Sequence, residues 1–168
     1  MANVKHYVIV SITLGAIAAA SAALIGVTNL ITHEKIVQNE QKKVQKGLVY
    51  IFGDGVEIKE ENDLNSYKYV THYYSLGDGK LAFRTDGSNM YGKISLIIGF
   101  NANDFVRLYV ITNEQTYAST LVDNYINPVN NGDATYDNPD DISCGATYGA
   151  TLVREMIDDA SKAAKDIN

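Results

Sequence analysis

The stretch GKISLIIGFNANDFVRLYVIT, residues 92–112, contains two runs of β-branched and aromatic residues separated by NAND, a sequence that favours a turn. Runs of this composition on either side of a short turn predict two antiparallel β-strands. Side chains alternate between the faces of a strand, so Val106, Leu108 and Val110 are expected together on one face. The other face, which is partly polar, then carries Phe105, Arg107, Tyr109 and Ile111.

Three similar runs precede this stretch and extend the predicted sheet. They are GVEIKE, YKYVTHYYSL and KLAFRTD, at residues 55–60, 67–76 and 80–86. Between the second and third runs, Asp78-Gly79 is a tight-turn signal that predicts a hairpin. Short strands joined in sequence by short turns predict an antiparallel meander of five strands.

The residues that follow the fifth run have helical patterns. The segment Ser119 to Tyr125 predicts a short helix, and a long loop rich in Asn, Asp, Gly and Pro follows it. A connection of this kind in a small domain is usually functional or disordered. The last segment, residues 148–166, has apolar residues at helical spacing: Leu152, Val153, Met156, Ile157, Ala160 and Ala164. A helix with this stripe covers one face of the sheet and gives an α+β domain, residues 54–168.

The N-terminal region is the most apolar part of the 168-residue chain. Residues 7–32, YVIVSITLGAIAAASAALIGVTNLIT, include no charged side chain, and about 20 such residues suffice to cross a membrane as a helix. A cleaved signal peptide is the alternative, because Ala20-Ser21-Ala22 has the form of a cleavage site. A retained transmembrane helix fits better, since only Lys5 precedes the apolar stretch as a charged residue and apolar residues continue beyond Ala22.

Residues 33–53 have the pattern of an amphipathic helix. Its apolar residues are Ile36, Val37, Val44, Leu48 and Ile51. We expect it to act as a stalk that packs this stripe against the following domain. The alternative is a helix on the membrane surface, but glutamates and glutamines dilute its basic face. More lysines follow the apolar stretch than precede it, and the positive-inside rule then places the C-terminal domain in the cytoplasm.

The composition argues against several functions. A net charge of −6 disfavours a nucleic-acid partner, which needs a basic surface. Cys144 is the only cysteine, so an internal disulfide is not possible. The three histidines, His6, His33 and His72, have no spacing typical of a metal site, and no metal is expected.

Residues 141–151, DISCGATYGAT, contain Gly-Ala-Thr twice, at the point where the long loop meets the last helix. A threonine there can serve simply as a helix cap. The alternative is a phosphate contact, because the free N–H groups and the positive end of the helix dipole favour an anion at this position. Composition and spacing leave both roles open.

The motif formed by Asp141, Gly-Ala-Thr at 145–147 and the apolar Val153 resembles the FMN-binding domain of the G subunit of the Rnf electron-transfer complex. The C subunit of the sodium-pumping quinone reductase shares this domain. The resemblance implies a single N-terminal transmembrane helix and an extracytoplasmic domain, in which FMN is covalently bound through its phosphate to the motif threonine. It also implies that a separate flavin transferase attaches the FMN, with FAD as donor.

The motif identifies Thr147 as the residue that carries FMN. Asp141 lies six residues before Thr147, whereas the residue six before Thr151 is Gly145, so only Thr147 matches the full motif. Thr151 also lies a full turn into the predicted helix. The resemblance assigns flavin contacts to the residues around the threonine: Asp141, Cys144 in place of the usual serine, Gly145 and Ala146. Small residues at these positions leave room for a transferase to approach.

A second stretch, residues 90–120, follows the order of turn, strands and flavin-facing loop in the same family. Gln115 and Thr116 stand at the family's Glu-Thr positions, and Tyr117 replaces a proline. The resemblance implies flavin contacts for these three residues. Tyr117 or Tyr91 either stacks on the flavin ring or packs within the protein.

The resemblance implies a membrane-anchored electron-carrier subunit of an Rnf-type ferredoxin:NAD oxidoreductase ion pump, with its domain outside the membrane and other membrane subunits as partners. The chain has no Rossmann motif and no iron–sulfur cysteines, so it cannot perform the whole reaction and needs no catalytic residue of its own. Two alternatives are a flavoprotein of another respiratory or electron-export chain and an anchored binding module without flavin. A Cys144 nucleophile with His72 as its base is a third.

Overall fold

The computed structural model describes residues 2–133, 135 and 145–167. In chain order these residues form helix α1 (Ala2–Phe52), strands β1 (Glu60–Asp63), β2 (Val70–Gly77), β3 (Lys80–Asn89), β4 (Gly92–Asn101) and β5 (Asp104–Asn113), a 3-10 helix (Ser119–Val122), and helices α2 (Asp123–Asn131) and α3 (Thr147–Ile167). An apolar N-terminal helix followed by an antiparallel sheet with helices confirms the predicted α+β class. The chain divides into two compact units, Met1–Lys42 and Lys43–Asn168.

The first unit consists of the N-terminal part of α1. Its residues Val4–Asn29 form a helix long and apolar enough to cross a membrane, and its apolar side chains, such as Leu24, are exposed. At 1.5 Å per residue this stretch is about 39 Å long. The helix therefore fits the predicted single-pass anchor. α1 continues without a break past residue 33, so the predicted span and the predicted stalk are parts of one helix.

In the second unit, the C-terminal part of α1 packs on one face of the sheet. One of the two apolar cores of this unit lies between α1 and the sheet. Its buried residues are Val44, Leu48, Ile51, Tyr74, Leu76, Ala82 and Ile97. Val44, Leu48 and Ile51 thus pack against the domain as the amphipathic pattern predicted. Ile36 and Val37, which belong to the same predicted stripe, are exposed.

The five strands form one antiparallel sheet in the order β1-β2-β3-β4-β5, which confirms the predicted meander. The β2–β3 hairpin turns at Asp78-Gly79, where the φ angles of 54° and 73° are both positive. Turns of this kind match the twist of the two strands that they join. β4 is buried on both faces from Ile94 to Phe100, because α2 and α3 cover one face and α1 covers the other.

The first strand does not lie where the sequence predicted it. Residues 55–59 lead into the sheet, and β1 begins at Glu60 and ends at Asp63. The N–H of Lys59 donates to the carbonyl of Ser75 at 2.8 Å, and pairing with β2 follows from there. All four side chains of β1 are exposed, so backbone pairing at the sheet edge holds this strand and no apolar pattern marks it.

Two β-bulges interrupt β5, and the one at Val106 changes the predicted faces of the strand. The register between β4 and β5 skips Val106 and Ile111, which are the extra residues of the two bulges. A bulge shifts the alternation of side chains along a strand. Phe105, Leu108 and Val110 contact the core under α2 and α3. Val106, Tyr109 and Ile111 contact the core under α1. The prediction that Val106 shares a face with Leu108, and Phe105 with Tyr109, was therefore wrong.

Helices α2 and α3 cover the other face of the sheet. The predicted stripe of α3 is confirmed, since its buried residues include Leu152, Val153, Met156, Ile157, Ala160 and Ala164. Helical structure also runs from Ser119 to Asn131, beyond the predicted end at Tyr125. Tyr125, Ile126 and Val129 are buried in the same core. Tertiary packing of these three residues stabilises a helix where the composition predicted a loop.

Candidate functional site

The predicted attachment residue lies at the start of α3. Asp141 and Cys144 fall outside the described residues, so the roles predicted for these two side chains stay predictions. Gly145 and Ala146 are described and lead directly into the helix, which begins at Thr147 and has 21 residues.

Thr147 lies at the N-terminal end of α3, which we call open because its first N–H groups have no acceptor within the helix. The N–H of Ala150 donates to the carbonyl of Ala146 at 2.9 Å, so the N–H groups of Thr147, Tyr148 and Gly149 have no acceptor within the helix. The Thr147 side chain is exposed and makes no hydrogen bond within the described part of the chain. The hydroxyl therefore lies where the helix dipole favours an anion.

The two residues directly before Thr147, Gly145 and Ala146, are small. Gly145 has a φ of +73°, a left-handed conformation in which a side chain would be strained. Gly149 approaches the 3-10 helix so closely that a Cβ atom there would lie 2.5 Å from Cγ2 of Val122. Thr151 is half-buried one turn further along α3. Of the two Gly-Ala-Thr threonines, Thr147 alone combines exposure with the open helix end.

The loop after β5 is fastened to the turn between β3 and β4. Gln115 is buried, and its Nε2 donates to the carbonyl of Gly92 at 2.6 Å. Thr116 donates both its N–H and its hydroxyl to the carbonyl of Tyr91, at 2.7 and 2.9 Å. Gln115 and Thr116 thus hold the loop, and the exposed Tyr117 side chain extends from it. A flavin contact of these loop residues stays a prediction.

Three tyrosine rings gather beside the start of α3, and we call Tyr91, Tyr117 and Tyr148 the tyrosine cluster. The centre of the Tyr91 ring lies 5.4 Å from that of Tyr117 and 5.5 Å from that of Tyr148, within the range of favourable aromatic pairs. Asn89 links the same segments, because its Oδ1 accepts from the N–H of Tyr91 and its Nδ2 donates to the carbonyl of Tyr148. Sequence reasoning missed Tyr148, whose only signal was its place directly after Thr147.

Comparison with known proteins bears on the N-terminal part of the chain. Residues 1–50 match the family model of the RnfG N-terminal region. The resemblance to RnfG is thereby confirmed over a range that includes the apolar stretch of α1 and ends before β1. The match covers 50 of the 168 residues, and over this range the chain is similar to RnfG. No curated protein and no solved structure matches the chain.

Two carboxylates on α3, the helix that begins with Thr147, attach this helix to the rest of the domain. Asp159 accepts the N–H of Tyr69 at 2.7 Å, and Glu155 accepts the Tyr69 hydroxyl at 2.5 Å. The hydrogen bond from Tyr69 is the main cause that holds the pKa of Glu155 below its usual value. These contacts tie α3 to the segment before β2. Sequence reasoning missed them, because single acidic residues on a helix have no distinctive pattern; Glu155 and Asp159 are half-buried.

A second polar cluster lies between β3 and β4, around Asp86. Its carboxylate contacts the Ser95 hydroxyl at 2.5 Å, the Lys93 ammonium at 3.0 Å and Nε of Arg84 at 3.4 Å. Burial raises the pKa of Asp86, but the hydrogen bonds from Ser95 and Lys93 and the charge of Arg84 outweigh burial and leave this pKa lowered. The cluster is a paired ionic network that stabilises the sheet. Within the described ranges, no group of three or more His, Cys, Asp or Glu side chains is arranged to hold a metal ion.

Proposed function

We propose that this chain is the membrane-anchored, FMN-bearing electron-carrier subunit of an Rnf-type ferredoxin:NAD oxidoreductase complex. The observation that carries the proposal is the position of Thr147, whose side chain is exposed at the open N-terminal end of α3. The match of residues 1–50 to the RnfG N-terminal region supports the choice of complex. The apolar helix Val4–Asn29 supports the membrane anchor.

The residues around Thr147 fit an esterified phosphate. The N–H groups of Thr147, Tyr148 and Gly149 have no acceptor within the helix and can donate to phosphate oxygens. The positive end of the α3 dipole stabilises the negative charge of the phosphate. The Thr147 side chain is exposed, and small residues, Gly145 and Ala146, precede it. These features support a phosphoester of FMN at this position.

Attachment of FMN needs a flavin transferase and FAD as the donor, as the family resemblance implies. In that step the Thr147 oxygen forms a bond to the FMN phosphorus and loses its proton. The bond that joins this phosphorus to AMP breaks, and AMP leaves. The chain supplies the acceptor hydroxyl, and the transferase supplies the catalysis. FMN, when bound, provides electron transfer, while the surrounding residues set its position.

We place the domain outside the cytoplasmic membrane, in contact with the other membrane subunits of the complex. This location follows the family resemblance. The lysines at residues 35–46, which by count favour the cytoplasm, are interleaved with the glutamates Glu34 and Glu40. Co-purification with a subunit rich in iron–sulfur cysteines would support the Rnf-type complex. Isolation with a different set of electron-transfer proteins would favour another respiratory or electron-export chain.

The mass of the intact protein tests the flavin ester. Expressed in full with a flavin transferase, the chain should gain the mass of one FMN less one water and should fluoresce in a denaturing gel. Thr147→Ala should lose both signals. Thr151→Ala, the matched control in the second Gly-Ala-Thr, should keep them.

Two results of the same experiment would contradict the proposal. A wild-type chain without added mass would favour an anchored binding module without flavin. Loss of the flavin in Thr151→Ala with retention in Thr147→Ala would show that the ester forms on the other threonine.

A further inference from the structure

We propose that Tyr117 and Tyr148, supported by Tyr91, form the surface on which the flavin ring of the Thr147 ester stacks. The inference rests on the proposed function, because it needs the flavin to be attached at Thr147. It goes beyond that function by assigning the ring-binding residues to the tyrosine cluster. Two of them, Tyr91 and Tyr148, lie outside the loop that the family resemblance assigns to the flavin.

Exposure of the tyrosine cluster is the first observation. Tyr117 is 65% exposed and Tyr148 is 59% exposed, although both rings contact the half-buried Tyr91. A contiguous patch of exposed apolar side chains, unlike a single one, often marks a binding site. The two outer rings therefore present apolar surface that the described part of the chain does not cover.

The position of this apolar surface is the second observation. In the described part of the second unit, the exposed large apolar side chains are Tyr50, Ile58, Met90, Tyr117, Leu121, Tyr148 and Ile167. Four of these seven lie on the segments around the start of α3: Met90, Tyr117, Leu121 and Tyr148. This apolar surface extends toward Thr147 through Leu121, because a Cβ atom at Gly145 would lie 3.4 Å from Cδ1 of Leu121. Exposed apolar surface is thus concentrated beside Thr147.

The rigidity of the cluster is the third observation. Thr116 holds the backbone next to Tyr117 through two hydrogen bonds to the carbonyl of Tyr91. Asn89 holds both the N–H of Tyr91 and the carbonyl of Tyr148. The rings therefore project from backbone segments that are already fixed to one another, and a planar ligand needs little reorganisation to stack on them.

The occupant follows from the tether. A ligand esterified to Thr147 is bound to the residue directly before Tyr148, so its ring system is confined to the neighbourhood of the cluster. The flavin ring is planar and aromatic, and offset or edge contacts with tyrosine rings stabilise such a surface. The tyrosine hydroxyls can remain in water while the ring faces pack.

Flavin emission from the full, flavinylated chain tests the inference, because a tyrosine ring stacked on flavin quenches its fluorescence. Tyr117→Ala and Tyr148→Ala should each lower the ratio of stacked to unstacked flavin about 2- to 10-fold and raise the emission per bound flavin accordingly. Tyr117→Phe and Tyr148→Phe keep the ring and should keep the visible circular dichroism of the bound flavin. Tyr50→Ala is the matched control, because Tyr50 is 49% exposed and its ring centre lies 5.7 Å from that of Tyr109; it should leave the emission unchanged.

The mass of each variant separates the two claims. One FMN on the wild type, together with unchanged emission in both alanine variants, overturns the stacking surface and leaves the flavin ester intact. A wild type without FMN overturns the ester, and the stacking surface falls with it. Far-ultraviolet circular dichroism of the variants shows that a change in emission does not arise from unfolding.

Discussion

The side chain of Asn89 donates from Nδ2 to the carbonyl of Tyr148 at 3.3 Å and so joins the end of β3 to the first turn of α3. Its Oδ1 accepts the N–H of Tyr91 at 2.9 Å. One side chain thus holds the backbone of Tyr91 and the backbone of Tyr148, the residue that follows Thr147. The relative position of Tyr91 and Tyr148 therefore depends on the contact between Asn89 and Tyr148, which are 59 residues apart in sequence.

Asn89→Ala should loosen the site with a small loss of stability. Two partly exposed hydrogen bonds are removed, and we expect the free energy of unfolding of the full chain to fall by about 1 kcal/mol. Urea unfolding in detergent measures this change. Asn62→Ala is the control, because the Asn62 amide donates to the nearby Glu60 carboxylate on the exposed edge strand; its effect should stay within about 0.5 kcal/mol. Equal losses in the two variants would contradict the role of Asn89.

Met156→Ala should destabilise the domain strongly. Met156 is fully buried between α3 and the sheet, and truncation of such a side chain leaves a cavity that costs about 2–5 kcal/mol. Met90→Ala removes the same atoms from a side chain that is 77% exposed and should change the free energy of unfolding by less than about 0.5 kcal/mol. Urea titrations of the two variants give the comparison. Similar midpoints would show that α3 does not pack as described.

Stability should fall in acid, partly through Asp86. Its pKa is lowered from 3.8 in the folded state, so its contribution is fully present above that pH and is lost as the pH falls through the folded pKa. We expect the urea midpoint of the wild type to drop between about pH 5 and about pH 2. Asp86→Asn should be less stable near neutral pH and should show a shallower acid drop. The lowered pKa of Glu155 has the same sign, and it is present in both proteins. Parallel pH curves for the two proteins would contradict the ionic role of Asp86.

The proposed orientation can be tested with single cysteines. In a Cys144→Ser background, Glu61→Cys places a thiol on the exposed strand β1. If the domain is extracytoplasmic, a membrane-impermeant maleimide should label this thiol in intact cells. Lys5→Cys, at the N-terminal end of the apolar helix Val4–Asn29, should react only after lysis. The opposite pattern would place the domain in the cytoplasm, as the lysine count indicates.

Several elements of the fold were predictable because a short stretch of sequence decides them. β4 is a mainly apolar run, and α3 has a helical apolar stripe. In each case the apolar pattern of the element itself predicts that it packs in a core. β1 has no such pattern, because backbone pairing with β2 holds it. The faces of Phe105 and Val106 depend on a bulge, which is set by the register between β4 and β5. Register is a property of two strands, and one strand's sequence does not reveal it.

The residues of the candidate site also differ in whether a short stretch of sequence is enough to predict them. Thr147 was predicted as the attachment residue because a short motif and a predicted helix start coincide there. Tyr148 and Asn89 were missed because tertiary contacts bring them together. Gln115 was predicted as a flavin contact from the family resemblance, and this contact stays a prediction; the structure adds that its amide bonds to the carbonyl of Gly92.

The most direct test of the central claim is to locate the flavin within the wild-type sequence. Protease digestion of the flavinylated chain, followed by fragmentation of the fluorescent peptide, assigns the added mass to one residue. We expect one FMN phosphoester on Thr147 and none on Thr151. A flavin on any other residue, or a peptide spanning residues 145–151 with no added mass, would contradict it.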